Sequence, residues 1–470
     1  MNNTLTKVKQ KEVLRMSSQQ SSHGMTDMTQ GRPARLIFFF ALPLLVGNIF
    51  QQLYNMVDSI VVGRYVGTIA LAAVGTGFPL IFMLSSLFMG LGIGATVMVA
   101  QYYGAQDHEK VRRTVDTIYT ALVVGAIPLT VIGLLLTDPL LWLMNVPADT
   151  MADARTYVLI VFGGIVGTLG YNVNAGILQG LGDSRTPLLF LAIACVINIV
   201  LDLTFVIVFH MGVAGVAIAT IIAQIFSWIF GIFYINRKYP MLQIHPFSFR
   251  FERQLFSQLI RLGIPAGIQQ ALFSLGIMTL QALVNRYGAD FIAGFNGANK
   301  LDTFAFMPIQ SFCTAVTTFV GQNIGAGRMD RVRSGTRSAL VMSWGFCLGA
   351  NLLLLPFGPV FMRMFSTSPA VIDAGMAYLN RVLPFYFLLA LFFTLSSVMR
   401  GAGEMMIPMI SSILSLWLAR VPAAYLLDAL FGRDIMFFCY VVGWLVGVIV
   451  SGVAYFHGGW RNKAVVTQQS

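Results

Sequence analysis

The sequence predicts an all-α integral membrane protein with twelve transmembrane helices in two six-helix parallel repeats. Three observations predict this fold class. The composition is too apolar for a water-soluble globule, twelve apolar runs are long enough to cross a bilayer, and the second half of the chain repeats motifs of the first. Together these features place most of the chain within lipid.

The composition leaves too few polar side chains to cover a globule in water. Of the 470 residues, 57% are hydrophobic and 10% are charged, and the mean hydropathy is +0.75. A soluble domain carries about 25% charged residues. The net charge of +11 comes with no nucleic-acid-binding motif, so we expect no nucleic-acid partner.

Twelve apolar runs have the length that a helix needs to cross the hydrocarbon core, which is about 20 residues. Backbone polar groups in lipid must pair within their own segment, so we interpret these runs as helices. The predicted spans are Leu36–Val62, Ile69–Gln101, Val115–Thr137, Ala154–Leu181, Pro187–Phe209, Val213–Ile235, Leu255–Asn285, Phe291–Gln322, Ser338–Phe361, Ala370–Met399, Ile407–Leu430 and Met436–Tyr455.

The remaining segments divide the chain into two bundles, two tails and a linker. We predict a disordered cytosolic tail over residues 1–35, an N-terminal bundle over 36–235, a cytosolic linker over 236–254, a C-terminal bundle over 255–457 and a cytosolic tail over 458–470. With the N-terminus in the cytosol, 22 Lys and Arg residues fall on the cytosolic side and 5 on the outer side. This asymmetry predicts a multi-pass protein of the cytoplasmic (inner) membrane with both termini cytosolic.

An internal repeat relates the two bundles. The matching motifs are Phe40-Ala-Leu-Pro43 with Leu262-Gly-Ile-Pro265, Gln101-Tyr-Tyr-Gly104 with Gln322-Asn-Ile-Gly325, and Gly180-Leu-Gly182-Asp183 with Gly401-Ala-Gly403-Glu404. The offset is 222 residues for the first pair and 221 for the others. Six helices is an even number, so both halves have the same orientation in the membrane. Two equivalent bundles around a central cleft are typical of transporters.

Few acidic residues lie within the predicted spans of the first half. Gln51, Asn55 and Asp58 form one polar stripe on the first span, and Asn198 and Asp202 share a face of the fifth. A carboxylate at membrane depth costs roughly 2.5–3.5 kcal/mol on insertion scales, which makes each acid a functional hypothesis. The alternative is a structural ion pair, but the one basic residue within these six spans is Arg155, at the outer end of the fourth. The two acids are suited either to proton capture or, with oxygen-bearing neighbours, to binding Na⁺.

The repeat provides an internal control for this polar set. Every repeat-related position in the second half is apolar: Ile277 for Asn55, Leu280 for Asp58, Ala419 for Asn198, Ala423 for Asp202 and Val441 for Thr220. Polarity that the scaffold requires would be present in both halves. We therefore predict that this set performs chemistry that is needed only once.

A series of ordered motifs extends over residues 35–457. It comprises Pro43 with Gln51 and Gln52, Val57-Asp58-Ser59 with Gly63, Gln101-Tyr-Tyr-Gly104-Ala105 and Leu178-Gln-Gly-Leu-Gly-Asp183. In these motifs, their order and their spacing, the sequence resembles the multidrug and toxic compound extrusion (MATE) family. The resemblance implies a V-shaped twelve-helix fold. It also implies export of large, often cationic, organic drugs or metabolites in exchange for H⁺ or Na⁺.

The resemblance also extends to single residues. Members of the branch that couples through the N-terminal half have an Asp in helix 1, a Tyr in helix 4, an Asn-x-x-x-Asp pair in helix 5 and a Thr in helix 6. The matching residues here are Asp58, Tyr157, Asn198, Asp202 and Thr220, with Tyr171 as an alternative to Tyr157 on the same helix. Another branch has an acid in helix 7, where this sequence has Ser274. The resemblance therefore implies coupling in the N-terminal half.

The charged residues within spans of the second half include Lys300, Asp302, Arg381 and Arg420. Lys300 and Asp302 are two residues apart and do not share a helix face. We interpret Asp302 as the partner of Arg420 or Lys300 in a structural ion-pair cluster in the wall of the cleft. The alternative is a role in substrate binding or gating.

Two functions other than cation-coupled export are compatible with a membrane protein of this kind. A lipid-linked saccharide flippase of the same broad fold would need a cationic cavity, for which Lys300, Arg381 and Arg420 are candidates. A membrane enzyme would need a His, Ser or metal cluster, and the five histidines are scattered. We expect no enzymatic activity, no cofactor, no metal beyond Na⁺ at the N-half site, and no use of ATP, because a Walker A motif is absent. We expect a monomer whose partners are a small organic substrate and membrane lipid.

Overall fold

The computed structural model describes residues 26–246 and 248–466, and within these ranges the regular structure is entirely helical. We number the membrane-spanning segments α1 to α12 in chain order. They are α1 Pro33–Val66, α2 Thr68–Gly104, α3 His108–Leu143, α4 Ala148–Gly163 with Ile165–Gly180, α5 Arg185–Val208, α6 Gly212–Lys238, α7 Arg253–Tyr287, α8 Ala289–Gly325, α9 Met329–Arg363, α10 Pro369–Gly401, α11 Met406–Phe431 and α12 Ile435–His457. The prediction of an all-α membrane protein with twelve spans is confirmed.

The fourth span is bent. Its two halves meet at Gly164 at an angle of 51°. A Cβ atom at this position would lie 2.1 Å from a side-chain carbon of Ile221 in α6. Glycine therefore allows α4 to bend against α6 without a clash.

Several helices extend beyond the apolar runs from which they were predicted. α3 begins at His108, where the side chain of Asp107 caps the helix by accepting a hydrogen bond from the backbone N–H of Lys110 at 3.0 Å. Arg113 and Glu109 then pair one turn apart. Capping and charged pairs of this kind stabilise the first turns of a helix outside the apolar core, where hydropathy gives no signal.

Both predicted tails are partly ordered, so the prediction of a disordered tail through residue 35 is wrong for residues 26–35. Met28 is fully buried, and its backbone N–H donates to Oε1 of Gln322 at 2.9 Å. At the other end of the chain, Trp460 is buried, and the N–H of Val465 donates to Oε1 of Gln101 at 2.6 Å. Residues 1–25 of the predicted tail lie outside the described residues.

The helices form two lobes, α1–α6 and α7–α12, and the first helix of each lobe begins on the opposite lobe. Ile37 and Phe40 of α1 pack in one apolar cluster with Phe312 of α8. In the same way, Leu255 and Leu259 of α7 belong to the apolar core of the N-terminal lobe. This reciprocal exchange joins the lobes on the side where the first and last described residues, 26 and 466, lie, which we name the termini side.

The closest approaches between the lobes lie on the termini side. A Cβ atom on Gly90 of α2 would lie 2.2 Å from the backbone oxygen of Gly263 in α7, and Asn48 of α1 donates to Ser311 of α8 at 3.1 Å. Farther along the same two first helices, apolar side chains such as Met56 and Ile277 are exposed. The two lobes therefore form a V whose closed end is the termini side.

Candidate functional site

The N-terminal lobe brings the predicted polar residues together. Asp58 comes from α1, Asn198 and Asp202 from α5 and Thr220 from α6. With its amide nitrogen turned toward the acids, Asn198 donates to Oδ1 of Asp58 at 2.8 Å and to Oδ2 of Asp202 at 3.3 Å. The amide oxygen then takes the position 3.4 Å from the Thr220 hydroxyl. This orientation satisfies both ends of the amide, and such assignments rest on the hydrogen-bond network.

The two carboxyl groups are neighbours, because the same amide nitrogen of Asn198 bonds to both. Asp202 and Asn198 are fully buried, whereas Asp58 is half-buried. Oδ1 of Asp202 has no hydrogen-bond partner among the residues that the structure describes. Two adjacent carboxylates repel each other strongly when both are ionised in a buried site. The arrangement is therefore suited to holding a proton or a cation between the acids.

The backbone is irregular immediately after each acid. A π-helical turn spans Val62–Val66 after Asp58, and another spans Thr204–Val208 after Asp202. Turns of this type are rare and are found frequently at functional sites. Both irregular turns lie on the side of the acids that is farther from the termini side.

Two tyrosines border the acids. Tyr54 stands one turn before Asp58 on α1, is buried, and lies near Thr220 of α6. Tyr157 of α4 packs against Gly77 and lies near both acids. The sequence analysis missed Tyr54, although its i,i+4 spacing from Asp58 places the two residues on one helix face.

Other predicted members are less closely involved. Tyr171, the alternative to Tyr157, has no acidic side chain close to its hydroxyl among the described residues. Gln51 is exposed and Asn55 is half-buried. Within the described part of the chain, the side chains of Gln51 and Asn55 make no hydrogen bond to the acids. Of the predicted polar stripe on α1, Asp58 is part of the site, whereas Gln51 and Asn55 lie outside its hydrogen-bond network.

The C-terminal lobe contains a different polar cluster, in which Asp302 and Arg420 are neighbours without a direct ion pair between the described side chains. Asp302 accepts a hydrogen bond from the hydroxyl of Tyr386. Arg420 is buried with its guanidinium 3.4 Å from the ring centre of Tyr440. Across the described ranges, no Lys or Arg nitrogen lies within 4.0 Å of an Asp302 oxygen. Asp302 thus bonds to a tyrosine hydroxyl and Arg420 makes a cation–π contact with a tyrosine ring, instead of bonding directly to each other.

The other two basic residues of this lobe lie apart from Asp302. Lys300 is exposed, with its ammonium 5.6 Å from the ring centre of Phe365. Arg381 donates to the backbone oxygen of Ala377 one turn earlier at 2.9 Å. The separation of Lys300 from Asp302 follows from their spacing of two residues, which turns them to different helix faces.

The described residues include no group of three or more His, Cys, Asp or Glu side chains that is arranged to hold a metal ion. The donors of the N-terminal cluster are instead two carboxyls, an amide and a hydroxyl. Oxygen donors of this kind suit a hard monovalent cation or a proton rather than a transition metal.

Two parallel six-helix lobes joined on one side, with a buried acidic cluster in one lobe, define a membrane transporter. The MatE family model matches residues 43–204 and 265–426, which are the two halves of the repeat. The chain belongs to the MatE family, the multidrug and toxic compound extrusion transporters, whose members are not enzymes.

Named relatives agree with this membership. The chain is 30% identical to the "Probable multidrug resistance protein YpnP" of Bacillus subtilis, over 94% of this chain and 99% of the relative. It is 26% identical to the "Probable multidrug resistance protein NorM" of Thermotoga maritima, over 91% and 93% of the two chains. A solved structure described as the outward-facing conformation of a multidrug resistance MATE transporter superimposes with a TM-score of 0.85 at 24% identity, covering 92% of this chain and 96% of that one. This last similarity concerns the fold.

Proposed function

We propose that the protein is a cation-coupled secondary antiporter that exports organic, often cationic, drugs or metabolites across the cytoplasmic membrane by alternating access. Family membership and the names of the relatives support the export of drugs. The observation that carries the coupling is the paired carboxyls of Asp58 and Asp202 in the N-terminal lobe. They are bridged by Asn198, and the repeat has no counterpart to them in the C-terminal lobe.

The paired acids supply a reason for the exchange of ion and drug. A proton or a cation bound between the carboxyls relieves their repulsion and favours the arrangement in which α1, α5 and α6 are packed together. A drug that binds better when the acids are free of the ion then favours the opposite state of the same equilibrium. Movement of one ligand inward therefore drives the other outward.

The coupling ion is H⁺ or Na⁺. Asp58 and Asp202 are sufficient for a proton. For Na⁺, the amide of Asn198 turns its oxygen toward the two acids as a third oxygen donor, and its nitrogen then donates to the Thr220 hydroxyl at 3.4 Å. Neither ion requires a cofactor.

The termini side faces the cytosol in this proposal. Of the 30 Lys and Arg residues, 22 lie in the segments on the same side as the chain ends and 5 in the segments on the opposite side. Cytosolic loops of membrane proteins carry this excess of positive charge. The V is then closed toward the cytosol and open toward the outside.

Reconstitution tests the function directly. We expect purified protein in liposomes to move ethidium, a fluorescent organic cation, against its gradient when an opposing H⁺ or Na⁺ gradient is imposed and no ATP is present. An ionophore for the coupling ion should abolish transport, and protein-free liposomes are the control. Transport that requires ATP, or that continues unchanged after the ionophore, would contradict the proposal. Comparison of H⁺-only and Na⁺-only gradients identifies the ion.

The flippase alternative receives less support from the arrangement of basic residues. A pyrophosphate-linked substrate would need several accessible cations in the cleft. Arg420 is buried against Tyr440, and Arg381 bonds to its own helix. Of the three basic residues considered for such a cavity, Lys300 alone is exposed. We therefore retain the exporter as the proposed function.

A further inference from the structure

Two repeat-related motifs outside the acidic site meet between the lobes on the termini side. Gln101 and Gly104 end α2, and Gln322 and Gly325 end α8. A Cβ atom on Gly104 would lie 2.0 Å from the backbone oxygen of Gln322, and one on Gly325 would lie 2.0 Å from the backbone oxygen of Gln101. Only glycine fits at either position, so α2 and α8 cross with their backbones in contact.

Each of the two glutamine side chains reaches a backbone group of the opposite lobe. The amide nitrogen of Gln101 donates to the oxygen of Gly401 in α10 at 2.8 Å. The amide nitrogen of Gln322 donates to the oxygen of Gly180 in α4 at 3.0 Å. Both glutamines are fully buried. These bonds link the lobes in a symmetric pair, because Gly180 and Gly401 are themselves repeat-related.

The oxygen atoms of the same two side chains are held by the ends of the chain. We name residues 26–32 the N-terminal strap and residues 459–466 the C-terminal strap. The N-terminal strap donates from Met28 to Gln322 at 2.9 Å, and the C-terminal strap donates from Val465 to Gln101 at 2.6 Å. Each glutamine is therefore bonded at both ends of its amide.

Each strap also contacts both lobes. In the N-terminal strap, the N–H of Thr26 donates to Gly182 of the N-terminal lobe at 3.3 Å, while Asn323 and Arg331 of the C-terminal lobe donate to the oxygen of Met28 at 3.0 and 3.1 Å. In the C-terminal strap, the oxygen of Lys463 lies beside Gly403 of the C-terminal lobe, where a Cβ atom would approach it to 2.6 Å. Gly182 and Gly403 are repeat-related and have positive φ, so each loop passes under its strap in a conformation that suits glycine.

We propose that the two straps, with Gln101 and Gln322, form a gate that holds the termini side closed. The bonds of Gln101 to Gly401 and of Gln322 to Gly180 join opposite lobes and must break when the lobes part on that side. Each strap is held on both lobes, so it must then release one of them. The straps therefore favour the state that is open on the opposite side, and release of both straps accompanies the opening of the termini side. The inference rests on the proposed function only in requiring that the two lobes move relative to each other.

Distances between spin labels test the gate. One pair of labels goes on the termini side at the exposed, repeat-related positions of Arg112→Cys and Arg333→Cys, and a second pair goes on the opposite side at Thr68→Cys and Ala289→Cys. The four native cysteines are buried, which leaves the introduced ones as the accessible sites. The unmodified gate should give one short distance for the first pair.

Loss of either glutamine should populate a longer distance on the termini side. We expect Gln101→Leu or Gln322→Leu to raise the ratio of open to closed molecules by about threefold to tenfold, the range that follows from losing one or two buried hydrogen bonds. The pair on the opposite side should shorten in the same molecules. Gln254→Leu is the matched control, because this exposed glutamine in the first turn of α7 makes no side-chain hydrogen bond to another described residue.

Strap deletions keep the test decisive if a glutamine variant fails to fold. Deletion of residues 2–31, or termination after residue 462, removes the strap residue that bonds to a glutamine and leaves all twelve spans. Deletion of residues 2–31 should add little to Gln322→Leu, which loses the same contact, but should add to Gln101→Leu. The gate is overturned if no variant shows a second distance, or if Gln254→Leu produces the same change. The measurement needs neither an ion gradient nor a drug, so a negative result would leave the coupling proposal standing, and a failure of coupling would leave the gate standing.

Discussion

The N-terminal lobe buries oxygen donors that face one another, whereas the C-terminal lobe buries charged groups that face aromatic rings. Asp58 and Asp202 share the amide nitrogen of Asn198 in the first lobe. In the second lobe, Asp302 bonds to Tyr386 and Arg420 lies over Tyr440. Both lobes have the same six-helix fold, so neither arrangement is required by the fold.

The repeat shows that each cluster occurs once. The positions of the C-terminal cluster correspond to apolar residues of the first lobe: Leu80 or Ile81 for Asp302, Ile165 for Tyr386, Ile199 for Arg420 and Ala219 for Tyr440. The acids of the first lobe are likewise replaced by Leu280 and Ala423. By contrast, each half has a glutamine at the repeat-related positions 101 and 322, and the two glutamines make equivalent bonds. The two glutamines therefore belong to the junction of the lobes, whereas the polar residues that occur in one half are the candidates for chemistry.

The largest difference between the lobes should appear in ion coupling. We expect Asp58→Asn and Asp202→Asn each to abolish gradient-driven efflux at near-normal expression, because an amide can neither take up a proton nor supply the charge that binds a cation. Asp302→Asn should retain coupling. It should instead lower the yield of folded protein, because it weakens a buried hydrogen bond to a charged group worth about 1.5–3 kcal/mol. Efflux in liposomes and the amount of monodisperse protein measure the two effects separately.

The opposite pattern would reverse the assignment of the lobes. If the Asp58 and Asp202 variants export drug against a gradient at the rate of the unmodified protein while Asp302→Asn does not, coupling belongs to the C-terminal lobe. The site would then be sought around Lys300, Asp302 and Arg420.

The fold was predictable because lipid restricts the choices of the backbone. Apolar runs in a membrane must be helices, and the repeat fixed the number and orientation of the helices in each half. The positions of Asp58, Asn198, Asp202 and Thr220 were predictable for a related reason. Acids are rare in lipid, so a polar residue that is absent from its repeat-related position is conspicuous.

Other features could not be predicted because their local sequence does not differ from that of residues without the same role. Tyr54 shares a helix face with Asp58. The sequence has 15 tyrosines and 37 phenylalanines, however, and this spacing alone does not separate Tyr54 from aromatic residues that face lipid. The N-terminal strap is polar, which is typical of a disordered tail. It is ordered because backbone groups around Met28 bond to Gln322, Asn323 and Arg331, three residues almost 300 positions away. Long-range backbone contacts of this kind leave no pattern in the local sequence.

A smaller difference between the lobes should appear in stability. Asp183 and Glu404 are repeat-related and buried, but Asp183 pairs with Lys238 at 2.9 Å, whereas Glu404 accepts hydrogen bonds from the backbone N–H groups of Met406 and Ile407 at 2.8 and 3.2 Å. We expect Asp183→Asn to lower the free energy of unfolding by about 3 kcal/mol, the low end for a buried pair because Lys238 is 21% exposed. Glu404→Gln should lower it by about 1 kcal/mol. Denaturant unfolding in detergent measures both, and equal losses would show that the pair with Lys238 adds nothing.

The pH dependence of the same pair of variants sharpens this comparison. Burial acts to raise the pKa of Asp183, but hydrogen bonds from Thr186, Tyr239 and Lys238 outweigh it and hold the pKa below its ordinary value of 3.8. A carboxyl whose pKa is lowered in the folded state stabilises the protein above its unfolded pKa and loses this contribution as the pH falls through the folded pKa. The stability difference between the unmodified protein and Asp183→Asn should therefore be constant from about pH 8 to about pH 5 and shrink only below about pH 4.

The smallest expected effect distinguishes two tyrosines that the repeat relates to each other, Tyr157 and Tyr378. Tyr157 lies near both acids of the N-terminal lobe. The ring of Tyr378 packs edge-on against Phe295 and Phe437, and its hydroxyl has no hydrogen-bond partner among the described residues. Tyr157→Phe should weaken the apparent affinity for the coupling ion about fivefold, which corresponds to about 1 kcal/mol for one lost oxygen donor.

Tyr378→Phe is the matched control for this change. Because it removes a hydroxyl that is buried without a partner, it should leave ion affinity unchanged and stability equal or slightly higher. The dependence of efflux on the concentration of the coupling ion measures the affinity, and thermal unfolding measures the stability. Equal weakening by both variants would mean that the two lobes share the ion. Weakening by Tyr171→Phe but not by Tyr157→Phe would mean that the N-terminal site uses the other tyrosine of α4, so that the acids approach Tyr171 in a different state of the transport cycle.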